Sequence, residues 1–279
     1  MKVRRCIALL VLCLGLLSAG LVQAEPRLTI TIGASTRSFG QRELLSDPAA
    51  TSIEVARDAA YQRSMHYQAV PLLALLAGMS LPPDQILEAV ASDGFVAMLP
   101  VDVILHPVAG SAMAYLAVEP PNAPWPALSG KTVSAGPFYV IWLRPEASGI
   151  RSEQWPYMVA EIRSADSPAK RWPGLGVDRS LSADDPIRAG QTIFVTQCLV
   201  CHKLNGAGSA SVGPDLNLPQ NPTEYFKLAA LKQYIRDPAS LRHWNAMQMK
   251  GFDKDALSDH EIDLIVAYLG HMSTRKVAP

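Results

Sequence analysis

Cysteine is nearly absent from this chain: there are four in 279 residues, and two of them, Cys6 and Cys13, fall within the first 24. The remaining 255 residues hold only Cys198 and Cys201, which excludes a disulfide framework. Net charge is absent as well. Twenty-five Lys and Arg balance 25 Asp and Glu, so neither a polybasic nucleic-acid surface nor a disordered acidic tail is the main business of the molecule. Past residue 24 no apolar run could span a bilayer. What the chain has in quantity is apolar residues, 49%, enough for about two folded domains at about 150 residues each.

The first 24 residues stand apart. Lys2, Arg4 and Arg5 precede an uncharged apolar run from Cys6 to Val22, and Val22-Gln23-Ala24 ends on the small residue a signal peptidase needs before its cut. Residues 1–24 therefore read as a removed secretory signal, and the expected location is the periplasm, with no membrane span after cleavage. A retained anchor is the alternative, but the run falls just short of the ~20 residues that cross a bilayer. In Leu10-Val11-Leu12-Cys13 a bulky leucine stands where a lipid-attachment site at Cys13 would want a small residue. Cleavage takes three cations, leaving 22 Lys and Arg against 25 Asp and Glu, a mildly acidic exported chain.

The most specific motif is Cys198-Leu199-Val200-Cys201-His202. Cysteines at i and i+3 of a helical turn share a face, spaced to form thioethers with the two vinyl groups of one haem. His at i+4 then points an imidazole nitrogen at the iron. A thioredoxin-like pair would want a βαβ context, and half a zinc site would need more Cys or His nearby. Export and the downstream residues favour haem.

Asp185-Pro186 places a cap and a first-turn proline ahead of a helix from Ile187 to Gln197, with Ile187, Gly190, Ile193 and Phe194 at helical spacing. Ser258-Asp259-His260-Glu261 is a capping box that opens a helix with Ile262, Ile265, Val266 and Leu269 on one stripe and Tyr268 beside it. With the haem motif between these helices, Asp184 to Met272 resembles a class I c-type cytochrome. The resemblance implies that the helices cross, Gly190 allowing close approach and Phe194 packing near Tyr268. It also implies that the Pro214 carbonyl, in Gly213-Pro214-Asp215-Leu216, accepts from the second ring nitrogen of His202, although Gly-Pro-Asp is a plain turn sequence too. The sixth ligand is then a methionine thioether. Met249-Lys250-Gly251-Phe252 is similar to the family's Met-Pro-x-Phe segment, with Lys250 where proline is commoner, and this favours Met249 over Met247. Trp244, Arg236 and Asn245 stand where the family often places donors to the haem propionates; Trp244 equally suits a packed aromatic. His243, His260 and His271 read as ordinary surface imidazoles.

Glu25 to about Asp166 has a different texture. Arg27 to Ile32 alternates with period two, and Val70 to Gly78 reads as a short apolar helix stopped by glycine. Phe95–Leu99, Ala112–Val118, Phe138–Leu143 and Met158–Arg163 read as strands between proline and glycine turns. Glu119 to Pro126 is a long proline-rich loop, either a stiff connection or a docking segment. Val70 to Leu76, Ser92-Asp93-Gly94-Phe95 and Gly136 to Trp142 resemble the molybdopterin-binding domain of sulfite-oxidase-like enzymes. That family holds molybdenum through a cysteine thiolate, which residues 25–166 lack. His66 and His106, 40 positions apart, suit structural roles better than a metal site.

The expected architecture is two domains: a strand-rich α+β adaptor domain over 25–166, a linker over 167–182, and an all-α cytochrome c domain over 183–279. The expected function is that of an exported electron-transfer protein, not an enzyme, carrying one covalent haem c. Cys198 and Cys201 anchor it and His202 and Met249 ligate it, while a dehydrogenase donor and an oxidase or other acceptor serve as redox partners. Two alternatives stand beside this. In one, the N-terminal domain of a periplasmic oxidoreductase binds or oxidises a small substrate and passes electrons to its own haem. In the other, that domain is a sensor with the haem as reporter.

Overall fold

A computed structural model describes residues 25–82, 84–210, 212–244 and 247–277. The expected signal over 1–24 and the candidate Asn245 lie outside the described residues. The chain forms two domains, a strand-rich one followed by a helical one.

The strand-rich domain begins with β1 (Arg27–Ile32), β2 (Ser35–Gly40), α1 (Gln41–Leu45), β3 (Thr51–Val55) and β4 (Met65–Pro71). It continues through α2 (Leu72–Leu75), β5 (Gln85–Ala91), β6 (Val96–Leu99), α3 (Val101–Leu105), β7 (Met113–Val118), β8 (Phe138–Leu143) and β9 (Val159–Asp166). Two sheets result, ordered β2-β1-β9-β5-β6 and β3-β4-β7-β8. All pairings are antiparallel except β1 with β9, where Ile30 lies opposite Ile162. The period-two pattern of β1 does what alternation requires: Leu28, Ile30 and Ile32 point inward and are buried, while the residues between them are not. These three pack with Tyr67, Leu116, Tyr139, Ile141 and Trp142 in one core between the sheets.

The helix expected over Val70–Gly78 is a single turn. Val70 and Pro71 end β4, opposite Leu116 and Tyr115, and only Leu72–Leu75 coils before Gly78 turns the chain at φ +74°. A continuous apolar run carries no period, and sheet pairing captured its start. The loop after Glu119 is tied to its own domain: the Trp125 N–H donates to Glu119 Oε1 at 2.7 Å, the Tyr61 hydroxyl to Pro126 O at 2.9 Å, and Trp125 meets Tyr67 edge to face.

The helical part follows through α4 (Pro168–Arg171), α5 (Pro186–Gln197), α6 (Pro222–Tyr225), α7 (Leu228–Arg236), α8 (Pro238–Leu241) and α9 (Asp259–Ser273). Asp185 caps α5, its Oδ1 accepting from the Ile187 N–H at 2.8 Å, and Ser258 with Glu261 closes the capping box of α9. At the crossing, a Cβ on Gly190 would overlap the Leu264 carbonyl, so glycine is what lets α5 and α9 touch. Phe194 lies 5.2 Å from Tyr268, ring centre to ring centre.

The segment read as a linker, 167–182, is packed rather than free. Leu175 and Val177 are buried in the helical core, the Tyr268 hydroxyl donates to Leu175 O at 2.7 Å, and Asn205 Nδ2 donates to Gly174 O at 3.0 Å. Its prolines and glycines build a tight turn, Pro173–Leu175, whose carbonyls serve as acceptors for the helical domain. Arg171, just before that turn, bridges the domains: its guanidinium pairs with the fully buried Glu88 of β5 and donates to Ser209 Oγ at 2.7 Å.

Candidate functional site

The last turn of α5 runs directly into the cysteine segment. The Cys198 N–H still donates to Phe194 O at 2.8 Å, and the next turn closes with Cys201 N–H and His202 N–H both donating to Cys198 O, at 3.1 and 2.9 Å. This is the helical turn that the Cys-x-x-Cys-His spacing calls for, with Leu199 and Val200 turned into protein and both thiols partly accessible and unpaired. Burial, then the nearby Glu153 carboxyl, pushes each thiol up to about 12. Such thiols are neutral, unlike the acidic thiols of a dithiol oxidoreductase.

His202 is fixed from the opposite side. Its Nδ1 lies 2.9 Å from Pro214 O and donates to it, which leaves Nε2 with a free lone pair. Gly213 lies flat against the ring, where a Cβ would come within 2.6 Å of Nδ1. Burial lowers the imidazole from its usual value, outweighing the Pro214 contact, and so favours the neutral ring. Asp215 holds the loop in place: its carboxylate accepts from the N–H groups of Asn205, Gly206, Asn217 and Leu218. Behind it runs a ladder of amides. Asn221 donates to Asn217 Oδ1, Asn217 to Asn205 Oδ1, and the same residues cap the carbonyls of Leu269 and Met272 at the end of α9.

The methionine-bearing loop joins α8 to α9. Met247 and Met249 are both partly buried. Gly251 is pressed on the end of α7, where a Cβ would overlap the Arg236 carbonyl, and Phe252 packs on the helical core. Arg236 staples this loop, donating to Phe252 O, to Asp253 O at 2.7 Å and to Asp259 Oδ1 at 2.8 Å. Its Nε is buried without a protein partner among the described residues. Trp244 is 42% exposed. His243 and His260 are exposed, and His271 accepts from the Asp178 N–H at 3.1 Å, a structural contact.

The strand-rich domain closes over the cysteine turn. The Val96 N–H donates to Val200 O at 3.3 Å, Met98 packs on the helical core, and Arg151 pairs with Glu261 at 2.6 Å. Between them Ser152–Gln154 forms a 3-10 turn that packs on α5, and the Glu153 carboxyl it carries raises both thiols. A cavity of about 150 Å³ remains at this seam, lined by Phe95, Ser152, Glu153, Trp155, Tyr157 and Lys250 among others. His66 and His106, by contrast, are exposed on β4 and just after α3, and His106 faces Asp102 at 3.8 Å.

Sequence reasoning missed Asp215, Asn217, Asn221, Glu153 and Arg151. Asp215 was visible as part of a turn motif, whereas a carboxylate brought in by another domain leaves no local trace. The residues present fit a covalent haem on structural grounds: two neutral, unpaired thiols on one helical turn, and an imidazole whose Nδ1 is engaged and whose ring a glycine cradles. Among the described residues, no group of three or more His, Cys, Asp and Glu converges to hold a metal by itself.

The family model of cytochrome c matches residues 187–273. This stretch contains α5, the cysteine turn, the Pro214 loop, the methionine loop and α9. The helical domain is therefore similar to cytochrome c, and a cytochrome c domain implies covalently bound haem c and electron exchange with redox partner proteins. The match begins at 187 and lends no support to likening the strand-rich domain to a molybdopterin-binding one. No curated protein matches the chain. Among the described residues no helix is long and apolar enough to cross a membrane.

Proposed function

We propose that the chain is an exported mono-haem c-type cytochrome that transfers single electrons in the periplasm, residues 1–24 being its removed signal. The observation that carries the reading is the Nδ1–H bond from His202 to Pro214 O beside the turn of Cys198 and Cys201. Those cysteines would hold the haem through thioethers, and His202 Nε2 and the Met249 thioether would ligate its iron. When bound, the haem supplies a one-electron ferric/ferrous couple, which His/Met ligation places in the range of soluble carriers. The chain's own part is positional. Pro214 O fixes the His202 tautomer and raises its basicity, Gly213 sets the ring plane, and Arg236 holds the methionine loop against α7 and α9. Arg236 Nε, and Trp244 from the rim, would donate to the propionates. Domain limits of 25–166 and 183–279, with 167–182 packed between them, accompany this reading. The strand-rich domain acts as an adaptor toward a dehydrogenase donor and an oxidase or other acceptor.

Acid acetone should leave the colour with the polypeptide, and Cys198→Ala with Cys201→Ala should abolish it. A protein that releases its haem sinks the reading. Met249→Ala should remove the weak near-infrared band of sulfur-to-ferric-iron ligation while Met247→Ala keeps it; the reverse result would move the ligand to Met247. A second reading, in which the strand-rich domain binds or oxidises a small molecule, is favoured by the cavity at the seam. Substrate-dependent reduction of the haem without any partner protein would put that reading first.

A further inference from the structure

Glu153 belongs to the strand-rich domain, yet its turn packs on α5 of the helical one, which runs into the cysteine turn, and its cavity is shared with Lys250 of the methionine loop. Its 3-10 turn is fixed on both flanks: Arg151 is tied to Glu261 of α9 at 2.6 Å, and Gln154 Nε2 donates to Met98 O at 3.3 Å. The residue is half-buried, and its carboxyl is poorly served for an anion taken partly out of water. Among the described residues it accepts one hydrogen bond, from Ser152 Oγ at 3.5 Å, the outer limit of such a contact. A partly desolvated carboxylate with so little support is costly, and it is relieved by taking up a proton. The cavity on which Glu153 opens gives solvent protons a way in.

We propose that Glu153 is a redox-linked proton acceptor, gaining one proton from solvent when the adjoining helical site gains an electron and releasing it when that electron leaves. The proposal rests on the haem reading above. The electron comes from one redox partner protein and goes to another; the proton comes from water through the cavity and returns there, and the only bond made or broken on the chain is the carboxyl O–H.

The groups facing Glu153 allow this. From its own turn come Arg151, whose charge is spent on Glu261, and the Ser152 hydroxyl. The methionine loop contributes Lys250, itself lowered by burial and then by the charge of Lys131, with Glu153 pulling the other way. Lys131 donates to the Tyr157 hydroxyl at 3.0 Å on the cavity wall. Asp93, from the turn before β6, acts on Cys201 and is exposed. The cysteine sulfurs are uncharged at neutral pH, as thiols or as thioethers. Burial therefore prevails over the Ser152 bond and over Lys250, and pushes the Glu153 carboxyl up to about 7. Losing one positive charge next to it favours the protonated form, so the reduced protein holds this proton more tightly than the oxidised one. The midpoint potential must then fall as pH rises through the interval between the two values.

The test is potentiometry of the full-length holoprotein from about pH 5 to about pH 9, reading the haem band. The wild-type potential should fall with pH across a window near neutrality and be flat outside it. Glu153→Gln should give a flat profile that meets the wild type at the acid end and lies above it at the alkaline end. Ser152→Ala, which removes the hydrogen bond favouring the ionised form, should move the window to higher pH, and it decides the matter if Glu153→Gln fails to accumulate. A flat wild-type profile, a slope that survives Glu153→Gln, or a window unmoved in Ser152→Ala overturns the proposal. Colour that stays with the polypeptide in acid acetone alongside any of these results shows that only this inference failed, whereas lost colour means the haem reading itself failed.

Discussion

At the residue scale, His202 is held by what its neighbours lack. Gly213 has no side chain, and Pro214 contributes only a carbonyl, so the ring lies flat and its Nδ1–H has one acceptor at 2.9 Å. Gly213→Ala should push the ring out of this seat at a cost of ~1–3 kcal/mol, the usual penalty for an inserted methyl that must displace its neighbours. With His202 as the proposed iron ligand, losing the Pro214 contact should make the imidazole a weaker base, favour ferric iron less and raise the midpoint potential. Denaturant unfolding and potentiometry of the holoprotein check the two effects together; an unchanged potential would mean that the ring keeps its hydrogen bond. The Cys-x-x-Cys-His turn, His202 and Pro214 were all legible in the sequence because they lie within 17 consecutive residues of one chain segment. The Asn205, Asn217 and Asn221 ladder was not, since an amide's partner is decided by tertiary packing and no spacing rule reports it.

At the scale of elements, the crossing of α5 and α9 is the joint on which the helical domain turns. The glycine there meets a carbonyl of the opposite helix, not a side chain that could move aside, and Tyr268 Cβ would be 3.0 Å from an added Cβ. Gly190→Ala should therefore destabilise by ~1–3 kcal/mol, despite the better helix propensity of alanine, and Gly190→Val should cost more. Chemical denaturation of the holoprotein measures both. A stabilised Gly190→Ala would mean that the helices do not approach so closely. Helix ends were the most readable feature of this chain: Asp185-Pro186 and Ser258 to Glu261 are local chemistry, and the caps form where the sequence placed them. Strands were read only where alternation or an apolar run marked them. Ser35–Gly40 and Thr51–Val55 carry polar residues at most positions and became strands because β1 and β4 offered them partners.

At the scale of the whole molecule, two arginines hold the domains against each other. Arg171 joins fully buried Glu88 to Ser209, and Arg151 joins the turn that carries Glu153 to Glu261 at the start of α9. Arg171→Ala leaves Glu88 with Arg163 alone and should cost ~1–3 kcal/mol, seen as earlier denaturation and faster proteolysis at the seam. The Arg151 pair makes a prediction about acid. Burial pushes the Glu261 carboxyl up, but the Ser258 N–H, the Arg151 guanidinium and the Ser258 hydroxyl together outweigh it and hold the group below its ordinary value. A carboxyl whose folded value is depressed binds fewer protons folded than unfolded. Its contribution to stability is thus complete above the ordinary carboxylate range and disappears as pH falls through the folded value. Arg151→Met keeps the apolar stem and removes the charge, so it should lower stability most at neutral pH, by ~1 kcal/mol or less for a pair that is part-exposed. The gap to wild type should close as acid protonates Glu261 in both proteins. Stability measured at several pH values from about 3 to about 7 tests this; a gap that stays constant across the range would mean that Arg151 acts through packing alone, and that the seam beside Glu153 is held by contact rather than by charge.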